Sequence, residues 1–361
     1  MKKNILFFLP VFIRGGAGNA IFKMCKRFNK SKYNLYIISI GPCSYKKELK
    51  KYIKKFYELK TNRAIYSILA LRKVVSNLDL NKSIFISNIN YANVITILAL
   101  RKYHSLKIIL SERTPIKELD IYFGIKDFFK KKITKFLVKL LYKKANVIIA
   151  NSKKTSNNLK NLCKTKVETI YSPAFERFNK KIKKRNAVKK LLTVGRLTKE
   201  KDYETLIHAI NLIKNQKFVL DILGEGEHKN KLIKLINRFN LENKIFLRGY
   251  QKRPEEYLKK TDLYINCSLF EGFPNSVVEA ISFNIPVICS KSHGGINEIL
   301  SNGKGGYFFD SGNHKELANL ISKFLTNQKN FEQKTNYARK KITKFNILNS
   351  VNRYEKIFKK L

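Results

Sequence analysis

LYINCSLFEGFPNSVVEA, residues 263–280, holds a strand, a loop and a helix in 18 residues. Leu263–Asn266 is apolar with a β-branched residue, the composition of a strand buried on both faces. Gly272 and Pro274 punctuate the loop, and a helix opens near Asn275 and runs through Val277-Val278-Glu279-Ala280. A strand that hands the chain to a helix is half of a parallel crossover. The same unit recurs outward. Pro286–Cys289 is the next predicted strand, and Lys244–Leu247, Phe218–Leu223 and Leu191–Val194 precede it. Further back, strands are predicted at Ile5–Leu9, Asn34–Ile38, Ser83–Ile86, Lys107–Leu110, Val147–Ala150 and Glu168–Ile170. Helical patterns lie between them around 17–29, 45–57, 64–77, 91–102, 127–144 and 153–163. Apolar strands separated by helices indicate parallel sheets covered on both faces.

The rhythm pauses after Ser172-Pro173. A polar, basic stretch from Glu176 to Lys190 reads as a linker before the alternation restarts. The predicted architecture is α/β: two Rossmann-like, doubly wound parallel-sheet domains, 1–172 and 173–346. Ligands of such sheets bind beyond the carboxyl ends of the strands, so the two halves are expected to face each other across a cleft. A last helical pattern, about 347–361, can belong to either half, the first included.

Length agrees: 361 residues are too many for one ordinary domain and suit two of about 150 to 180. The charge balance is extreme, 74 Lys and Arg against 26 Asp and Glu, or +48. Such a surface asks for anionic company: phosphate-rich ligands, nucleic acid or lipid headgroups. Abundant Lys, Asn and Ile with no Trp also fit a general compositional bias that needs no partner. Zinc-finger, RNA-recognition and helix-turn-helix signatures are missing, so nucleic acid is not expected as a partner. The five cysteines (Cys25, Cys43, Cys163, Cys267, Cys289) contain no C-x-x-C pair, and the five histidines no H-x-x-x-H. Both facts argue against a disulfide framework or a structural metal, and for a reduced, cytoplasmic compartment. No cofactor is expected.

Lys2 and Lys3, the apolar run Ile5–Ile13 and the small residues of Gly15–Ala20 superficially copy a signal peptide. Pro10 inside the run and Arg14 directly after it favour a strand followed by a helix. No stretch approaches the roughly 18 uninterrupted apolar residues of a membrane span.

Three places carry candidate chemistry. Gly15-Gly16-Ala17-Gly18 sits between the first strand and the first helix, where glycines let the backbone approach a ligand and free N–H groups meet an anion. A tight strand-to-helix turn is the structural alternative. The equivalent loop of the second half is Gly195-Arg196-Leu197-Thr198-Lys199-Glu200-Lys201-Asp202. Arg196 can fork two phosphate oxygens, Lys201 is a mobile point charge, and Asp202 is a plausible N-cap. In a lysine-rich chain a solvated basic loop is the alternative. The strongest place is the opening stretch. Glu271 lies in the loop before the helix, and Asn275 and Ser276 offer backbone N–H groups at its start. Glu279, one turn inside an otherwise apolar helix, is costly unless something hydroxylated or cationic meets it, a ligand or a neighbouring lysine.

With these motifs the chain resembles the retaining nucleotide-sugar glycosyltransferases of the GT-B fold, the large group often called family 4. Glu271-Gly272-Phe273-Pro274-Asn275-Ser276-Val277-Val278-Glu279 is similar to that group's E-x7-E signature, and Gly195-Arg196 with Lys201 to its diphosphate loop. Gly15-Gly16 resembles the glycine loop facing the same phosphates. Val147–Ser152, Gly224-Glu225-Gly226 and Gly294-Gly295 with Glu298 add support in the family's order. The resemblance implies a metal-independent transfer of a hexose-type sugar from a nucleotide-diphosphate sugar to a saccharide or lipid-linked acceptor in cell-surface polysaccharide or lipopolysaccharide synthesis. It implies that Arg196 and Lys201 neutralise the leaving diphosphate, that Glu271 holds sugar hydroxyls and Glu279 the ribose, and that Gly249-Tyr250-Gln251 passes near the base. It also implies retention of configuration, which needs no paired carboxylates. One departure stands out. Many relatives carry a His after the strand matching Lys107–Leu110, where this chain has Ser111-Glu112-Arg113; Glu112 or Arg113 is then the candidate for its sugar contact. A catalytically silent nucleotide-sugar-binding relative is the other reading.

Residues 126–144, KDFFKKKITKFLVKLLYKK, set Phe129, Ile133, Phe136, Leu137, Leu140 and Leu141 on one helical face among lysines. Packing of that face on the sheet is the favoured expectation. Contact with an anionic membrane surface, giving a peripheral inner-face location, is the competing one.

Overall fold

The computed structural model describes residues 2–12, 15–122, 124–179, 188–292 and 294–361. Ile13, Arg14 and 180–187 of the expected linker lie outside the described residues. The chain divides into two compact units, one running to Pro173 and including Ile347–Leu361, the other Ala174–Asn346.

The first unit is built on β1 (Lys3–Leu9), β2 (Tyr33–Ser39), β3 (Lys55–Glu58), β4 (Ser83–Asn88), β5 (Lys107–Glu112), β6 (Val147–Ala150) and β7 (Glu168–Thr169). All pairings are parallel, in the order β3-β2-β1-β4-β5-β6-β7. The apolar N-terminal run is thus an interior strand. Its side chains alternate between two cores, as the period of two requires. Leu6 and Phe8 join Tyr36, Phe85 and the helices Ala64–Ser76, Asn90–Leu100 and Ile125–Leu141 on one face. Ile5, Phe7 and Leu9 join the helices Gly16–Cys25 and Ile347–Lys360 on the other. The last helix presents Ile347, Val351, Tyr354 and Phe358, one stripe at helical spacing. The Phe358 ring lies 5.8 Å from Phe28 and 5.7 Å from Tyr33.

The second unit pairs β8 (Lys189–Val194), β9 (Phe218–Leu223), β10 (Ile245–Gly249), β11 (Leu263–Asn266), β12 (Val287–Ser290) and β13 (Tyr307–Phe309) in the order β10-β9-β8-β11-β12-β13, again all parallel. In each sheet the winding reverses beside the first strand, which opens a crevice for loops at the carboxyl ends.

Two expectations need correction, and one strand was not anticipated. Residues 45–57 form only the short helix Lys46–Leu49 and then β3. Lysines at helical spacing mimic a solvated helix, but Lys-Phe-Tyr-Glu also suits an edge strand, which tolerates charge. β13, three residues long, was too short to read. The helix Ile125–Leu141 buries only Val138 and Leu141. Phe129, Ile133, Phe136 and Leu140 are 59%, 59%, 63% and 45% exposed, so the apolar face expected to pack on the sheet is largely turned outward. Among the described residues no helix is long and apolar enough to cross a membrane.

Candidate functional site

In the second unit the loops leaving β8, β9, β10, β11 and β12 are stitched together by backbone bonds. Gly195 N donates to Leu223 O, Leu197 N to Glu225 O, Gly224 N to Gly249 O, Leu269 N to Glu200 O and Gly295 N to Gly272 O, each at 2.9 Å. The approach is too close for side chains at two points. Gly224 (φ +149°) would set a Cβ 1.8 Å from Gly195 O, and Gly294 (φ +128°) one 1.5 Å from Glu271 O.

On this frame stands an ion pair. Lys201 ends a 3-10 turn, and its Nζ donates to Glu271 Oε1; the two side chains are 18% and 15% exposed. Ser268 Oγ donates to the same oxygen at 3.0 Å. Asp202, left-handed at φ 49°, accepts from Thr205 N at 3.4 Å and caps the helix Tyr203–Leu212. Burial raises the Asp202 pKa against the Thr205 bonds that lower it. Arg196 bonds Glu200 Oε1 at 2.8 Å and leaves its side chain 60% exposed.

On the loops and strand ends of this same frame, Thr198 Oγ1, Asp202 Oδ2, Asn266 Oδ1, Asn275 Oδ1 and Ser292 Oγ are enclosed without a protein partner. Each such atom costs about 1–3 kcal/mol unless a ligand or water meets it. Their gathering on neighbouring loops marks a polar ligand site rather than a core.

The helix Asn275–Ser282 starts here with Asn275 and Ser276 in its first turn. The Ser276 hydroxyl bonds the phenol of buried Tyr264, and Tyr264 Oη accepts from Val194 N at 3.3 Å. That ties the helix start to the end of β8. Glu279 is half-buried one turn on, and Gly272, Phe273 and Pro274 are buried beneath the loop. Phe273 packs edge-on against Phe345 at 4.9 Å. Tyr250, 45% exposed, follows Gly249 (φ +67°) at the end of β10.

The remaining candidates belong to the first unit. Gly15 precedes the helix Gly16–Cys25 with extended backbone (φ −158°), and a Cβ on Gly15 or Gly16 meets nothing within 4 Å. Neither backbone angle nor packing demands these glycines, so they leave backbone open to approach. Glu112, at the end of β5, is fully buried. Tyr142 Oη donates to its Oε2 at 2.8 Å, and Thr114 Oγ1, Arg113 N and Thr114 N donate to Oε1 at 2.9, 3.1 and 3.3 Å. Burial raises its pKa, and the Tyr142 and Thr114 bonds oppose the rise. Arg113 Nε donates to Asn88 Oδ1 at 2.8 Å.

Of the predicted site residues, direct contact joins Lys201 to Glu271, and the Leu269 N–Glu200 O bond joins their two loops, which also hold Gly195 and Gly272. Arg196 reaches only Glu200 of its own loop among the contacts described here, and Glu112 is bonded inward. Sequence reasoning passed over Ser268 and Tyr264. Ser268, three residues before Glu271, was legible as a short hydroxyl in the quoted stretch. Tyr264 looked like any aromatic strand residue.

Residues 174–341 match the family model of the glycosyl transferases group 1. The chain is 29% identical over 281 residues to the N-acetylgalactosamine-N,N'-diacetylbacillosaminyl-diphospho-undecaprenol 4-alpha-N-acetylgalactosaminyltransferase of Campylobacter jejuni, covering 75% of this chain and 74% of that one. An uncharacterised glycosyltransferase of Methanocaldococcus jannaschii is 36% identical over 186 residues, 47% of this chain and 45% of its own. Among solved structures, Anabaena HepE bound to UDP-glucose superposes with a TM-score of 0.83 at 18% identity, over 99% of this chain and 100% of that one. Staphylococcus aureus TarM gives 0.80 at 16%, over 99% of each. The chain thus has the GT-B fold, and its second unit matches the glycosyl transferases group 1.

Proposed function

We propose that the protein is a retaining, metal-independent hexosyltransferase. It moves a sugar from a nucleotide diphosphate to a saccharide or lipid-linked saccharide in cell-surface polysaccharide or lipopolysaccharide synthesis, in the cytoplasm at the inner membrane face. The Lys201–Glu271 pair, on loops that also hold enclosed polar atoms without protein partners, carries this reading. Lys201 and exposed Arg196 meet the diphosphate and stabilise the charge that grows on it as the glycosidic bond breaks. Released from Lys201, Glu271 turns to sugar hydroxyls while Ser268 holds its loop. Glu279 takes the ribose, and Tyr250 borders the base. Gly195, Gly272, Phe273, Pro274, Asn275 and Ser276 shape the donor bed, and Gly15 and Gly16 offer backbone N–H groups to the phosphates. Glu112, enclosed as it is, acts by fixing the Arg113-Thr114 turn. Support comes from relatives named for alpha-linked products, from one named for a diphospho-undecaprenol substrate, and from HepE bound to UDP-glucose.

The test is a thermal-shift screen against UDP-, GDP- and ADP-sugars, since binding raises apparent stability by mass action, followed by transfer to a lipid-diphosphate saccharide. A shift with one donor and product formation lost in Lys201→Ala and Glu271→Ala are expected. No shift with any donor and no product defeats the reading. A shift without product leaves a binding protein, the outcome that the Ser111-Glu112-Arg113 departure would favour.

A further inference from the structure

The carboxyl ends of β1, β4, β5 and β6 in the first unit hold a second set of polar groups. Asn88 closes β4 and is fully buried. Its Nδ2 donates to Phe8 O at 3.2 Å and to Ile86 O at 3.3 Å. Its Oδ1 is thereby turned to Arg113, whose Nε donates to it at 2.8 Å. The next residue is strained. Ile89 sits at φ +75° and ψ +145°, a region that a β-branched residue enters only at a cost. Ile89 N donates to Ser111 O at 3.1 Å, and Asn93 N to Ile89 O at 2.9 Å. These bonds hold the strained backbone and, with it, the direction of Asn88. Strain kept at a strand end where ligands of such sheets bind points to a function for the residues that it aims.

The guanidinium aimed this way has no counter-ion. Among the described residues, Nε alone of its three nitrogens meets a protein acceptor. Glu112 beside it spends both oxygens on Tyr142, Thr114 and backbone N–H groups, and burial raises its pKa, which weakens it as a counter-ion. Burial lowers the Arg113 pKa. The helix Asn90–Leu100 starts two residues after Asn88 and adds positive potential at the same strand end. A desolvated cation with an open fork is costly until an anion meets it. Asn151 completes the group. It is 6% exposed, its Nδ2 donates to Arg113 O at 2.8 Å, and its Oδ1 is enclosed without a partner. A donor fork beside a waiting acceptor suits an oxyanion on a hydroxylated body.

We propose that Arg113 binds an oxyanion of a sugar ligand, a phosphate or a carboxylate, that Asn151 takes a neighbouring hydroxyl, and that Asn88 is the positioning residue that aims the fork. The proposal rests on the transferase reading for the sugar and adds the charge. A contact to a neutral hydroxyl would leave the guanidinium unanswered.

The experiment titrates the full chain by calorimetry with glucose 1-phosphate, glucuronate and glucose, at low and at high salt. The two charged probes separate a phosphate from a carboxylate source, and glucose is the uncharged reference. Every variant is also made in a Lys201→Met chain, because Lys201 meets phosphate in the second unit. At least one charged probe should bind about tenfold more tightly than glucose. Arg113→Gln should cut that preference by about ten- to a hundredfold, the range for bonds to a charged group. Arg113→Lys should restore part of it, and the deficit should shrink at high salt. Asn88→Ala should lower the preference by about fivefold and flatten its salt dependence. A merely structural Asn88 would weaken all three probes alike, and that result overturns its positioning role. Should Arg113→Gln fail to fold, Arg113→Lys carries the test, since loss of the fork alone should still cost about threefold. Equal binding of all three probes to wild type overturns the proposal, and so does a folded Arg113→Gln chain that keeps the wild-type preference and salt dependence. Donor thermal shift is read on the same samples. A charge preference that Arg113→Gln removes, with no shift for any nucleotide sugar, sinks the transferase reading alone; a donor shift without charge preference sinks the oxyanion contact alone.

Discussion

Gly294→Ala tests whether the stitched loops hold the site. A Cβ there would lie 1.5 Å from Glu271 O, 2.7 Å from its carbonyl carbon and 3.0 Å from Gly272 O. Ordinary contact distances demand that the Glu271 backbone retreat by about 2 Å, and the carboxylate that meets Lys201 rides on that backbone. A shift of about 1 Å in positioned groups costs on the order of a hundredfold in rate. Turnover should therefore fall at least a hundredfold, and stability by about 3–5 kcal/mol, the range of severe substitutions. Gly312→Ala separates the two causes. Gly312 has φ +82° but open space where a Cβ would go, so it bears only the left-handed penalty, about 1–2 kcal/mol. Urea unfolding and donor turnover of both variants decide the matter. If Gly294→Ala unfolds with Gly312→Ala and turns over within threefold of wild type, the argument that this contact positions Glu271 is wrong.

Lys201→Met should lower kcat by about a hundred- to a thousandfold, the range for removing a preorganised electrostatic donor. Arg196→Ala should do the same while moving stability by less than about 1 kcal/mol, because its ion pair is exposed; a variant of either residue with unchanged kcat refutes its role at the phosphate. Glu112→Gln should reveal a pH dependence. The folded pKa of Glu112 is raised by burial, so its contribution is complete below the unfolded value near 4.5 and is lost as pH rises through the folded value. Wild-type stability relative to the Gln variant, from urea midpoints, should rise as pH falls toward the unfolded value; a flat or falling difference contradicts this. Thiol titration should find one slowly reacting cysteine per folded chain and five after unfolding. Cys43 is half-buried and the other four are buried, Cys163 with its pKa pushed up to about 11; two or more fast thiols would be inconsistent with this packing. Turnover in EDTA should stay within twofold of the untreated rate, and a loss restored by a divalent cation would disprove metal independence.

Much of the molecule was legible because interior strands of parallel sheets must be apolar on both faces, and β1, β11 and β12 announce themselves that way. Edge strands obey no such rule. Lys55–Glu58 hides among lysines, and Tyr307–Phe309 is too short to show a period. The paired charges of the site were readable from the Gly195–Asp202 loop and the Glu271–Glu279 run, since both sit where a strand hands over to a helix. Periodicity could not tell which of two apolar faces on Ile125–Leu141 turns inward. A helix flanked by lysines on every side has the same pattern whether its phenyl groups meet a sheet or solvent, and only the neighbouring helices decide.

The return of Ile347–Lys360 to the first unit has a consequence for synthesis on the ribosome. Phe28 and Tyr33 emerge early, yet the Phe358 ring that covers them is translated much later. At about 5–20 residues per second the interval is roughly sixteen to sixty-five seconds, long enough for the intervening segment to fold first. During that time an unfinished hydrophobic face is open to chaperones, and a nascent chain that stalls shortly before residue 347 would be left permanently adhesive.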